Sequence, residues 1–133
     1  MLLTEARELV MVDKPHLDEE ALAELQDVME NEFPTLIQTY LNDSKERIEG
    51  LKAAMDGGDA DAFAKTAHSF KGSCINIGAP RLGALCREAE TAGQNERLGE
   101  VPPVLDAIQE EFQQVTDALN RLMAQGVEPE RKQ

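Results

Sequence analysis

The sequence predicts an all-α protein, an antiparallel four-helix bundle with one or two short extra helices at its N-terminus. Four long stretches carry apolar residues at alternating steps of three and four, the spacing of a helix with one buried stripe. No stretch alternates apolar and polar residues with period two, and no Asn-Gly hairpin signal occurs. With four Phe, one Tyr and no Trp, the core must be built mainly from Leu, Ile, Val, Ala and Met, which suits close-packed helices. The 133 residues are enough for one core and not two, so residues 1–133 are expected to form a single domain.

In chain order, Thr4 to Val10 is weakly amphipathic and predicts one or two helical turns inside a short N-terminal segment, residues 1–16. Asp18 then stands as an N-cap ahead of Glu19 and Glu20, with Leu22, Leu25, Val28 and Met29 as an apolar face, and that helix must end before Pro34. From Pro34 the stripe Ile37, Leu41, Ser44, Ile48, Leu51, Met55 spans about six turns, with Ser44 its one polar member, until Gly57-Gly58 stops it. Asp59 caps the next helix, and Gly78 closes it. Pro80 suits a first helical position and opens a helix whose inward face is Leu82, Leu85, Cys86 and Ala89, expected to end near Gly93. After a polar loop, Pro102-Pro103 begins the last helix, with Val101, Leu105, Ile108, Phe112, Val115, Leu119 and Leu122 inward. Gly126 ends it, leaving 127–133 as a frayed tail.

A net charge of −13 and a pI near 4.5 argue against nucleic acid as a partner, because binding a phosphate backbone needs clustered cations. The same charge argues against an anionic membrane surface. Residues 1–12 include Glu5, Arg7 and Glu8 and have no signal-like apolar run, so the expected compartment is the cytoplasm. Cys74 and Cys86 fall on apolar positions without zinc-site spacing and read as reduced core thiols. No cofactor or metal site is expected.

The candidate chemistry lies between Asp59 and Asn76. Phe63, Ala67, Phe70, Cys74 and Ile77 form that helix's buried stripe, whereas Lys65, His68, Lys71 and Gly72 share an outward one. An exposed imidazole beside two lysines is equipped to carry a phosphoryl group, the cations offsetting charge on the phosphoryl oxygens. Gly72 costs about 1 kcal/mol relative to Ala in mid-helix and would leave clearance beside the ring. If the following hairpin turns at Gly78, His68 and Glu90 lie nearly level, and the Glu90 carboxylate can fix the imidazole tautomer. From these spacings alone, a solvated His between two lysines and a Glu90 that is only a surface acid are the readings to prefer. Ile75, two turns beyond His68, and Ala64, one turn before it, are expected with Lys65 on the same outward face as partner contacts. His16, preceded by Pro15, reads as a loop residue. No nucleotide-binding loop or kinase signature is present.

The run from Ala67 through His68, Lys71 and Gly72 to Ala79, followed by Leu82, Leu85, Cys86 and Glu90, resembles the histidine-containing phosphotransfer (HPt) domain family, as does Phe33 to Leu41 upstream. The resemblance extends over about Asp18 to Val115 and implies the same bundle. By that similarity His68 is the phospho-acceptor, Lys71 the helper cation, Gly72 the clearance residue, and Glu90 the position that often bonds the His. It implies two partners: the receiver domain of a hybrid sensor histidine kinase as donor, and the receiver of a response regulator as acceptor. Mg²⁺ is expected in the partner's receiver, and the chain is expected to be a monomer and not an enzyme. Cys74 departs from the small Ser or Ala more usual there. A phospho-acceptor domain of a chemotaxis-type kinase, a non-catalytic helical adaptor and a small metal-binding bundle are the alternatives.

Overall fold

The computed structural model describes residues 14–125; the segment Thr4 to Val10 and the tail 127–133 lie outside them. Among the described residues five α-helices follow one another: α1 Glu19–Met29, α2 Phe33–Asp56, α3 Ala60–Ile77, α4 Pro80–Gln94 and α5 Val101–Gln125. Single 3₁₀ turns precede α2 (Glu30–Glu32) and α5 (Leu98–Glu100). Helices α2 to α5 pack in a ring, each on the next in sequence and α5 back on α2, with α3 against α4 the most extensive contact. This is the antiparallel four-helix bundle, with α1 as its short extra helix.

The helix boundaries follow from local chemistry. The Asp18 carboxylate accepts the Ala21 N–H at 3.1 Å and the Asp59 carboxylate accepts that of Ala62 at 3.0 Å, each satisfying a donor that a helix start leaves orphaned. Gly78 closes α3 at φ 93°, the left-handed region where a Cβ would be strained. Its carbonyl accepts the Asp18 N–H at 2.7 Å, which ties the start of α1 to the α3–α4 turn.

The core contains the expected stripes of the long helices: Phe63, Ala67, Phe70, Cys74 and Ile77 of α3 are buried, as are Leu82, Leu85, Cys86 and Ala89 of α4 and Leu105, Ile108, Val115 and Leu119 of α5, whereas Val28 of α1, expected on an apolar face, is exposed. Ser44 is fully buried among them. Both cysteines are free and buried. The Cys74 sulfur lies 3.3 Å from the Tyr40 hydroxyl, whose ionisation is suppressed by burial and then by Cys74. Among the described residues no helix is long and apolar enough to cross a membrane.

α4 ends at Gln94, one residue past Gly93, as expected. A Cβ at Gly93 would stand 2.9 Å from the Ala64 nitrogen and 3.0 Å from its Cβ, so this glycine lets α3 and α4 approach closely. Ala64 is the other half of that contact and only 8% exposed, which corrects its expected place on the outward face. Its Cβ lies on the α4 side of α3, and steps of four from His68 drift around the helix enough to carry it inward.

Candidate functional site

The close approach of α3 and α4 at Ala64 and Gly93 sets the site one turn away. His68 is four residues after Ala64 and Glu90 three before Gly93, so the two side chains meet across the seam. The His68 Nδ1 lies 2.8 Å from Glu90 Oε2, and the Lys71 ammonium donates to Glu90 Oε1 at 2.8 Å. Gln94, one turn further along α4, also donates to Oε2, at 3.3 Å.

Burial graduates through this cluster. The Glu90 side chain is 11% exposed, that of Lys71 23% and that of His68 67%. Burial alone would raise the Glu90 carboxyl, but the hydrogen bonds from Lys71 and His68 outweigh it and hold the group below its usual 4.5. Glu90 is therefore ionised at neutral pH and can only accept. The proton in the His68–Glu90 contact must then belong to Nδ1, so a neutral imidazole carries its lone pair on Nε2.

Gly72 meets nothing: a Cβ built there finds no atom within 4 Å. No internal packing accounts for a glycine in mid-helix, and the bare surface it leaves lies one turn from His68. Lys65 faces solvent, and its ammonium pairs with Asp61 at 3.1 Å, one turn back on α3. Ile75 is 60% exposed, one of two large apolar side chains left in the open among the described residues, and it borders Gly83 of α4. The structure thus brings together His68, Lys71 and Glu90, leaves Gly72 and Ile75 open along the same helix, and removes Ala64 to the α3–α4 seam.

Two neighbours escaped the sequence reading. Gln94 could have been found as the residue one turn after Glu90. Arg47 of α2 donates its Nε–H to the Ser69 hydroxyl at 3.0 Å, immediately beside His68. Its signal was available, since Arg47 lies ten residues before Gly57 as His68 lies ten after Gly58, level across the α2–α3 turn.

His16, outside any helix as expected, bonds through Nδ1 to the buried Glu111 carboxylate of α5. Among the described residues no cluster of three or more His, Cys, Asp or Glu side chains is placed to hold a metal ion.

The model of the Hpt domain family matches residues 35–124. Among solved structures, the chain is similar to histidine-containing phosphotransfer protein B (HptB) from Pseudomonas aeruginosa PAO1, with 42% identity over 80% of this chain and 93% of that one and a TM-score of 0.79. It is also similar in fold to the histidine-containing phosphotransfer protein MtHPt2 from Medicago truncatula, at 21% identity, 96% and 89% coverage and a TM-score of 0.75. The HPT domain of a sensor hybrid histidine kinase from Shewanella gives 18% identity, 83% and 95% coverage and a TM-score of 0.66. No curated protein sequence matches at comparable significance. With most of its described bundle inside the family match, the chain belongs to the histidine-containing phosphotransfer (Hpt) domain family, the phosphotransfer intermediates of multistep phosphorelays.

Proposed function

We propose that His68 is the phosphoryl acceptor and that the chain relays the group between two receiver domains, one on a hybrid sensor histidine kinase and one on a response regulator. The observation that carries this reading is the ionised, buried Glu90 bonded to His68 Nδ1, which leaves the Nε2 lone pair directed at solvent. In the forward step Nε2 forms a bond to phosphorus as the bond from phosphorus to the donor's aspartyl oxygen breaks, its electron pair leaving with the carboxylate. The Nδ1 proton stays on the ring, where Glu90 stabilises the positive charge that the ring acquires. Transfer to the second receiver reverses these events.

Lys71 is bonded to the same carboxylate at 2.8 Å, near enough to turn toward phosphoryl oxygens. Gly72 leaves the space a receiver's own phospho-acceptor needs, and the exposed Ile75 extends the contact. Lys65, tied to Asp61, contributes to the face rather than to the reacting atoms. No cofactor of this chain enters the scheme. Mg²⁺, where needed, is brought by the receiver and offsets phosphoryl charge there. The same reading takes residues 1–133 as one monomeric, cytoplasmic domain that transfers phosphoryl groups without kinase activity.

Incubation with a phosphorylated receiver should give acid-labile, alkali-stable phosphate on the wild-type chain and none on His68→Gln, with helix content unchanged because His68 is exposed. Equal labelling of the two would overturn the assignment.

A further inference from the structure

Three cations stand around His68, and they differ in what already holds them. Lys71 is paired with Glu90 and Lys65 with Asp61. Arg47 is held by a neutral hydroxyl, that of Ser69, and among the described residues it pairs with no carboxylate. Only one of its five N–H donors is used in that bond, through Nε. Among the described residues this leaves Arg47 as the one of the three cations without an ion-pair partner.

Its position is fixed by the fold. Arg47 is half-buried on α2, level with His68, and reaches the flank of α3 opposite to Lys71 and Glu90. Ser69 and His68 are adjacent on an exposed stretch of α3, so a phosphoryl group on Nε2 lies beside the residue that anchors the guanidinium. A planar guanidinium donates to two oxygens of a phosphoryl group at once, which a lysine cannot do.

We infer that Arg47 is a phosphoryl-binding residue, donating its terminal N–H groups to the phosphoryl oxygens on His68 while Ser69 holds its Nε. This rests on His68 being the acceptor. The ligand is the phosphoryl dianion bound to His68.

The test is ³¹P NMR of the intact chain loaded with phosphoramidate. Nε2 displaces ammonia from phosphorus, the P–N bond of the donor breaking with its electron pair on the departing nitrogen. A cation against the phosphoryl oxygens favours their dianionic form, so the second ionisation of phosphohistidine should titrate lower than without it. Arg47→Ala should raise that midpoint by about 0.5 to 1 pH unit, as expected for one charge at contact distance in a solvated site. Ser69→Ala should move it less in the same direction, and Arg47→Lys should restore most of the shift. With a phosphorylated receiver as donor, Arg47→Ala should also displace the phosphoryl equilibrium toward the receiver by about threefold to tenfold. If His68 carries phosphate and the midpoint is the same in wild type and Arg47→Ala, the inference is wrong while the acceptor assignment stands. If only the rate of transfer from the receiver falls, Arg47 touches the incoming group and not the bound one, which also overturns it. Absence of any His68-dependent signal in the wild type would overturn the acceptor assignment and this inference with it.

Discussion

Both histidines of the chain present Nδ1 to a buried carboxylate on another element, yet their surroundings differ. His68 meets Glu90 across the α3–α4 seam, with Lys71 and Gln94 on the same carboxylate, the bare backbone of Gly72 one turn on and Arg47 alongside. His16 meets Glu111 of α5, is 40% exposed in its side chain, and shares that carboxylate with no cation among the described residues. If His68 is the acceptor, as proposed, a carboxylate behind an imidazole does not by itself make a phosphoryl site. At His16 the same pairing fastens a loop to the bundle, together with the bond from Arg81 to the Lys14 carbonyl at 2.6 Å. On the proposed assignment, the cations and the clearance are what set His68 apart.

The strongest way to break the contrast is to fill the clearance. Gly72→Leu should slow phosphoryl transfer from a receiver on the order of a hundredfold, since a small misplacement of reacting groups has that effect. Gly72→Ala should instead stabilise the isolated fold by about 0.5 to 1 kcal/mol, because its methyl meets nothing and helix propensity improves. Denaturant unfolding beside single-turnover transfer checks both, and a Leu variant that transfers at the parental rate would refute the clearance role.

Removing the carboxylate tests the other half. Glu90→Ala should slow transfer about tenfold by releasing the ring to both tautomers, whereas Glu90→Gln should be milder, its amide oxygen still accepting from Nδ1. Imidazole ¹⁵N shifts report the tautomer directly, and a single tautomer kept in the Ala variant would leave Glu90 no orienting role. At the other histidine, His16→Ala should cost about 1 kcal/mol of stability by leaving Glu111 buried without its partner, with phosphoryl loading unchanged.

The smallest effect is the dependence on acid. The folded-state pKa of Glu90 is depressed, so its stabilisation is fully present above about the unfolded value of 4.5 and is lost as pH falls through the lower folded one. The stability gap between wild type and Glu90→Gln, followed by denaturant midpoint from pH 7 to pH 3, should therefore close at the acid end. A gap that stays constant would mean that the charge on Glu90 adds nothing to the fold.

What the sequence determined by itself was periodic or local. Stripes at steps of three and four laid out the four long helices, Asp18 and Asp59 marked two helix starts, and Gly78 marked the tip that levels Glu90 with His68, because these depend on neighbours within one or two turns. The outward His68, the HxxKG spacing and the exposed Ile75 were legible for the same reason. Tertiary structure decided what depends on distance between helix axes. Gly93 lies at the helix end, as read, but is also a close-packing point, and Ala64 looked like a surface residue and is what it packs on. Whether Glu90 was a surface acid or a buried partner also turned on that approach, since a level register does not say how near two helices come. The charges around His68 were equally hidden. Lys65, Lys71 and Arg47 are equivalent cations in sequence, and only the packed bundle gives Asp61 to the first, Glu90 to the second and a neutral hydroxyl to the third, because pairing is set by which side chains the fold brings within a few ångströms.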